Sequence, residues 1–99
     1  MARKQSYVKS AQFYFALGHP RRLRIIDILK TQPNGLSFED LEQETTIRGA
    51  SLSHHLRFLK DAKIIHRQIR DRFSIYKLDA DYLEWMIQAG SGKGQLKAA

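Results

Sequence analysis

The chain has 99 residues, of which 42% are hydrophobic and 27% charged, so its length and composition fit one small globular domain and exclude two. It contains no cysteine, which excludes disulfides, zinc sites built on thiolates and a cysteine nucleophile. The net charge of +7 favours an anionic partner, with nucleic acid ahead of a membrane surface.

The first two predicted helices are separated by a short break. Residues 6–17 carry aromatic and aliphatic side chains at helical spacing, and the helix ends before Pro20, which cannot continue a helix already begun. Pro20 suits the first turn of a second helix with a broad apolar face. That helix should end near Gln32, because the following residues 33–35 have the composition of a turn.

Two further helices are predicted in the middle of the chain. Ser37 and Asp40 resemble a capping pair at the start of a short helix over residues 38–44. After a break, a fourth helix is predicted over residues 50–61. Its apolar stripe consists of Leu52, Leu56 and Leu59. The face opposite that stripe carries Ala50, His54, Arg57 and Asp61.

The apolar period then changes to two, which predicts a β-hairpin with strands over residues 64–69 and 73–78. The polar tip of this hairpin consists of Arg70, Asp71 and Arg72. A last helix is predicted over residues 80–89. The predicted fold is therefore mainly α with a β-hairpin wing, a winged helix-turn-helix in the order α-α-α-α-β-β-α.

Domain organisation follows from these elements. One winged helix-turn-helix domain, with dimerising terminal helices, is predicted over residues 1–89. The remaining residues, 90–99, are rich in glycine and lysine and predict a flexible basic tail.

Charge is distributed unevenly along the chain. Residues 48–77 hold eight basic side chains against two acidic ones, whereas residues 38–44 hold four acids and no base. A basic surface that served only solubility would not separate the charges in this way. The pattern indicates a surface that contacts a polyanion.

Two motifs resemble a known family. "ALGHPRRLRII", residues 16–26, and "SHHLRFLKDAKII", residues 53–65, are similar to the two signatures of the arsenic-repressor (ArsR-like) winged helix-turn-helix regulators. The resemblance covers about residues 11–88, with both motifs in the right order and at the right separation. It implies a transcription regulator that binds double-stranded DNA, usually as a repressor, and that dimerises through its first and last helices.

The sequence also departs from the family pattern. Thr46 stands where the helix-turn-helix turn often has glycine, and Arg48 stands where a serine often caps the recognition helix. A threonine in a left-handed conformation is strained, so we expect the turn to be rebuilt around Gly49. The family's metal sites need cysteines, or histidines on the last helix, and this chain has neither. We therefore expect no metal and no cofactor, and the sequence identifies no effector.

The adjacent histidines His54 and His55 have different predicted roles. Neighbouring helical residues point about 100° apart, so the two imidazoles cannot chelate one ion together. We expect His55 to pack beside the leucine stripe and to bond to the backbone. We expect His54 to project outward and contact DNA.

The predicted DNA contacts lie on the fourth helix, at its start and at the hairpin tip. They are Arg48, Ser51, Ser53, His54, Arg57, Lys60, Arg70 and Arg72. Several of these side chains could instead form an ordinary solvated face.

The aromatic residues of the terminal helices predict a twofold interface, although a simple core is the alternative. The predicted interface residues are Val8, Phe13, Tyr14, Tyr82, Trp85 and Met86. The acids at the start of the last helix, Asp79 and Asp81, are expected to cap that helix.

Two other binding functions are also compatible with this sequence. A winged helix that binds RNA or DNA without sequence preference remains open, as does a module that docks an acidic protein. An enzyme is not expected, because no nucleophile–base pair, carboxylate pair or metal set is present. No apolar run approaches the length of a membrane span, and the N-terminus lacks the apolar core of a secretory signal. We therefore expect a cytoplasmic protein with no membrane partner.

Overall fold

The computed structural model describes the backbone of residues 2–90 and the side chains of residues 7–89. Within these described residues, five helices and three strands follow one another. In order they are α1 (Ala2–Leu17), α2 (Pro20–Lys30), β1 (Leu36–Ser37), α3 (Phe38–Thr45), α4 (Gly49–Asp61), β2 (Ile65–Arg70), β3 (Phe73–Leu78) and α5 (Ala80–Gly90). The predicted fold class is confirmed, and the predicted tail beyond residue 90 lies outside the described residues.

The sheet contains one strand that the sequence did not predict. β1 pairs antiparallel with β3, which in turn pairs with β2, so the strand order is β1-β3-β2. Gly35 precedes β1 with φ 83°, and a Cβ at this position would lie 2.7 Å from the Tyr76 carbonyl oxygen. Glycine is therefore required where this short strand approaches β3.

The start of α3 and the turn after it explain how α4 is held. The Ser37 hydroxyl accepts a hydrogen bond from the Asp40 amide, as predicted. The turn keeps its left-handed residue at Thr46, with φ 59°, and a second one follows at Gly49, with φ 53°. The expected rebuilding around Gly49 is therefore wrong. The buried Thr45 hydroxyl accepts the Ile47 amide hydrogen bond and secures the turn.

A single core joins the helices to the sheet. The predicted leucine stripe of α4 is buried at its centre, and Ile64 and Ile65 continue the core into β2. α1 and α5 each add buried side chains from the chain termini. The other buried hydrophobic members are Phe13, Ala16, Ile25, Ile26, Leu29, Leu41, Ile47, Ala62, Leu83 and Met86.

The hairpin is tighter than predicted. β2 extends to Arg70, which pairs with Phe73, so only Asp71 and Arg72 form the turn. Both have positive φ, 51° and 74°, as in the type I′ turns that match the twist of paired strands. Glycine is the residue usually found at the second of these positions, and an arginine there costs roughly 1–2 kcal/mol.

Candidate nucleic-acid interface

The outward face of α4 carries the predicted polar contacts. Leu52, Leu56 and Leu59 are buried against the core, and helical periodicity turns the intervening side chains to solvent. The exposed residues of this face include four predicted contacts, Ser53, His54, Arg57 and Lys60, and also the carboxylate of Asp61. These four predicted contact residues lie along one helix and are available to a partner.

Two further predicted contacts lie at the start of α4. Arg48 is the N-cap residue, but its side chain makes no capping hydrogen bond and is exposed. Instead, the Glu42 carboxylate accepts the Gly49 amide hydrogen bond at 2.8 Å. Ser51 is also exposed, and its hydroxyl accepts a hydrogen bond of 3.3 Å from Arg21 of α2. Arg21 was missed by the sequence analysis and brings another guanidinium to this helix end.

His54 and His55 separate as predicted. His55 is 5% exposed and lies beside the leucine stripe, whereas His54 is exposed and its ring meets Phe58 edge-on at 4.9 Å. The expected bond from His55 to the backbone is wrong. Its Nδ1 accepts a hydrogen bond of 3.2 Å from Arg22 Nε, because α2 passes directly behind α4.

Arg22 is a buried cation that the sequence analysis did not identify as structural. Its guanidinium lies 4.1 Å from the Phe58 ring centroid and 5.5 Å from that of Phe15, and Nη1 donates to the Phe15 carbonyl oxygen. Aromatic faces and neutral acceptors thus replace the water that burial removes. Through these contacts Arg22 joins α1, α2 and α4.

Burial is also the main electrostatic influence on His55. It lowers the pKa of the imidazole, and the neighbouring charges of His19 and Arg22 lower it further. The His19 ring packs against the His55 ring at a centroid distance of 4.5 Å, while its own Nδ1 caps α2 by accepting from the Arg21 amide. A neutral His55 is the form that can accept from Arg22.

The hairpin tip presents the two predicted arginines to solvent. Arg70 and Arg72 are both exposed, on either side of Asp71. Arg70 donates to the Gln68 side chain at 3.4 Å, a bond within its own strand. The tip therefore offers two cations that the rest of the described chain does not neutralise.

The outer face of the sheet has a different character. His66 Nε2 and Asp79 Oδ2 lie 2.8 Å apart, beside an open groove of about 580 Å³. Asp79 also accepts the Tyr82 amide hydrogen bond, so the predicted cap of α5 is present. The hydrogen bond from His66, and then that from Tyr82, lower the pKa of the Asp79 carboxyl. Basic and acidic groups are balanced on this face.

The predicted dimer residues divide into two groups. Phe13 and Met86 are 0% and 6% exposed, so they belong to the core of the single chain. Val8, Tyr14 and Trp85 are exposed at 67%, 43% and 64%. The Tyr14 hydroxyl donates to the Met86 carbonyl oxygen and thereby ties α1 to α5.

Tyr82 links these two groups, because its ring contacts both Phe13 and Trp85. α1 and α5 therefore share one aromatic surface, with core residues behind it.

Within the described part of the chain, no three histidine, cysteine or carboxylate side chains come together as a metal site. None of the helices described here is long and apolar enough to cross a membrane.

Sequence comparisons identify the family. The Helix-turn-helix domain family matches residues 17–68, more than half of the chain. The transcriptional repressor SdpR of Bacillus subtilis (strain 168) is 32% identical over 76 residues, which cover 73% of this chain and 82% of SdpR.

Several solved structures share the fold, and two of them are compared below. The homodimeric winged helix-turn-helix DNA-binding domain Mb0332 (fragment 1–100) from Mycobacterium bovis, a possible ArsR-family transcriptional regulator, is 20% identical with a TM-score of 0.75. The comparison covers 92% of this chain and 84% of that domain. NolR from Sinorhizobium fredii is 21% identical with a TM-score of 0.73, over 91% of this chain and 88% of NolR. The chain belongs to the helix-turn-helix domain family, as a winged helix-turn-helix regulator of the ArsR-like type.

Proposed function

We propose that this protein is a homodimeric repressor that binds a short inverted repeat in double-stranded DNA. The observation that carries the proposal is the shared basic surface of α4 and the hairpin. The exposed side of α4 and the hairpin tip are both cationic, and neither ion pair among the described side chains lies on them. A surface of this kind attracts the phosphate backbone.

In this proposal α4 enters the major groove. Ser53, His54 and Arg57 face away from the core, where they can reach base edges, while Lys60 contacts phosphate. Arg48 and Ser51 contact the backbone near the start of the helix. Arg70 and Arg72 hold the wing against the backbone or the minor groove.

Dimerisation is proposed through the aromatic surface of α1 and α5. Val8, Tyr14 and Trp85 supply its exposed apolar area, with Tyr82 at its edge. Two copies related by a twofold axis would place their recognition helices about one helical turn of DNA apart. The homodimeric state of Mb0332, a protein of similar fold, supports this arrangement.

Repression, rather than activation, is proposed from the similarity to SdpR, which is a transcriptional repressor. The proposed activity is binding and needs no catalytic group, metal or cofactor. A repressor of this type acts by occupying DNA that polymerase requires.

The decisive experiment is selection of bound sequences from a random duplex pool, with the oligomeric state measured on and off DNA. We expect an enriched inverted repeat, bound by two copies of the chain. Binding with steep salt dependence but no enriched sequence would favour the non-specific alternative. Binding of no duplex, together with nuclease-resistant binding of an acidic protein, would favour the docking module and reject the proposal.

A further inference from the structure

A cleft separates α4 from the hairpin, and it contains a cation outside the predicted DNA contacts. Its volume is about 200 Å³. Its lining residues are Ser53, Leu56, Arg57, Lys60, Arg67 and Tyr76. We refer to it as the α4–hairpin cleft. Arg57 and Lys60 enter it from the helix, whereas Arg67 enters from β2.

The strand register explains why Arg67 faces the cleft. Arg67 pairs with Tyr76, and paired residues of antiparallel strands lie on the same face of the sheet. The neighbouring pair, His66 and Lys77, lies on the opposite face, in the balanced groove beside Asp79. The hairpin thus carries Arg67 on the face toward the cleft and Lys77 on the opposite face.

The guanidinium of Arg67 is oriented before any partner binds. Its Nε donates a hydrogen bond of 2.9 Å to the Ser74 hydroxyl on β3. Its two terminal nitrogens make no hydrogen bond with any side chain or carbonyl among residues 7–89. A fixed guanidinium with free terminal donors suits an anion that accepts two parallel hydrogen bonds.

The charge of the cleft is unbalanced. Three cations line it, and no carboxylate does. The two ion pairs among the described side chains, Lys30–Asp27 and His66–Asp79, lie elsewhere. Three cations facing one concavity repel one another in the free protein, so an anion that enters the cleft relieves this repulsion.

The size of the cleft selects the kind of anion. Sites that enclose drug-sized ligands usually measure about 300–1,000 Å³, so this smaller, open cleft does not enclose a nucleotide. A single phosphate group fits, with hydroxyl donors available from Ser53 and Tyr76. The cleft also lies directly between the predicted groove-binding face of α4 and the wing.

We propose that the α4–hairpin cleft binds one backbone phosphodiester of the DNA, with Arg67 as a phosphate-binding residue and Ser74 as its positioning residue. This inference rests on the proposed DNA-binding function. A phosphate held here would fix the depth to which α4 enters the major groove, because the same anion is held from the helix and from the hairpin.

The first test compares Arg67→Gln with Lys77→Gln, which removes the same charge from the opposite face of the same sheet. For Arg67→Gln we expect affinity about 10-fold weaker on specific and unrelated duplexes alike, and a salt slope smaller by about 0.9, the loss of one phosphate contact. Lys77→Gln should keep the wild-type slope. Equal behaviour of the two variants would overturn the inference, while the proposed function would still stand if the wild type binds DNA.

A second test locates the phosphate. Duplexes with one neutral methylphosphonate linkage are scanned along the backbone with wild type and Arg67→Gln. One position should weaken wild-type binding and leave the variant unaffected, whereas no such position would overturn the inference. Saturable binding of inorganic phosphate, with an unchanged salt slope in Arg67→Gln, would identify a site for a free anion and overturn the DNA assignment.

Two more variants guard against a purely structural effect. Arg67→Lys keeps the charge and should keep the salt slope while losing a few-fold in affinity, because lysine cannot form the paired hydrogen bonds. Ser74→Ala should weaken the methylphosphonate-sensitive contact without changing the melting temperature much, and Ser74→Thr should restore it. Loss of fold in Arg67→Gln would show by circular dichroism, in which case Arg67→Lys and Ser74→Ala decide.

Discussion

Two surfaces of this molecule expose side chains that lack a partner within the described chain, and the two surfaces differ in chemistry. The surface formed by α4 and the hairpin is cationic and contains no carboxylate in its central cleft. The surface formed by α1 and α5 is aromatic, with Trp85 and Tyr14 exposed beside a packed core. The first lacks an anion and the second lacks an apolar cover, so the two surfaces suit the two partners proposed above: DNA for one, and a second copy of the chain for the other.

The largest expected effect is on the aromatic surface. Trp85→Ala should weaken dimerisation by about 30-fold or more, since a central tryptophan in an interface commonly contributes 2 kcal/mol or more. Sedimentation equilibrium measures the dissociation constant directly. Leu23→Ala is the matched control, because Leu23 is also an exposed apolar residue but lies on α2. An unchanged dissociation constant in Trp85→Ala would show that the aromatic surface is not the dimer interface.

A smaller effect is expected on the cationic surface. Arg57→Gln should weaken DNA binding about 10-fold and reduce the salt slope by about 0.9, because it removes one contact to the duplex. Lys30→Gln removes the same charge from the end of α2, where Lys30 pairs with Asp27, and should change little. The dimer constant should remain that of the wild type in both variants. If Arg57→Gln changed dimerisation instead, the two surfaces would not be separate.

Two non-glycine residues with a left-handed backbone conformation separate binding by the cationic surface from stability of the fold. Arg72 and Lys63 both have positive φ, 74° and 67°, although neither is glycine. Arg72→Gly and Lys63→Gly should each raise the free energy of unfolding by about 1 kcal/mol, because glycine adopts this conformation without a Cβ clash. Only Arg72→Gly should weaken DNA binding, by several-fold, since Lys63 follows α4 outside the proposed contact set.

Thermal melts and DNA titrations on this pair of variants separate stability from binding. Arg72 would then be a residue whose charge is retained at the wing tip against a local conformational cost. Equal binding by Arg72→Gly and wild type would show that the arginine has no such role.

The smallest effect concerns the residue behind the cationic surface. Burial lowers the pKa of His55 below its ordinary value of 6.5, so the unfolded chain takes up a proton there before the folded chain does. Stability contributed by this group is complete above pH 6.5 and is lost as the pH falls through the folded pKa. His55→Gln should reduce the loss of stability seen in denaturant titrations between pH 8 and pH 5. His54→Gln, at an exposed neighbour, should not.

Much of the fold was predictable because it depends on local patterns. Local sequence patterns predict three of the elements: the leucine spacing predicts α4, the change of period after residue 63 predicts the hairpin, and the proline predicts the start of α2. β1 could not be predicted in this way. A strand of two residues has no measurable period, and its only sequence signal is Gly35. The requirement for glycine there can be recognised only when β3 is known to lie beside it.

The candidate site was predictable only in part, for a related reason. His54 and Arg57 follow from helical periodicity alone. Arg22, by contrast, is buried through contacts with α1 and α4 that are distant in sequence, and Arg67 faces α4 only because of the register of the hairpin. Phe13 and Met86 fall in the predicted interface because composition cannot separate buried apolar residues from exposed ones, and the structure buries both.

The three-helix junction around Arg22 has a consequence for the DNA that the protein would select. Arg22 binds the carbonyl of Phe15 on α1 and the ring of His55 on α4, so it sets the roll of one helix relative to the other. If α1 lies at a twofold axis, a change in the orientation of α4 relative to α1 occurs in both copies. The distance between the two α4 helices of the dimer then changes by twice the shift in one copy. A substitution at Arg22, far from any base, should then alter the preferred number of base pairs between the two halves of the binding sequence.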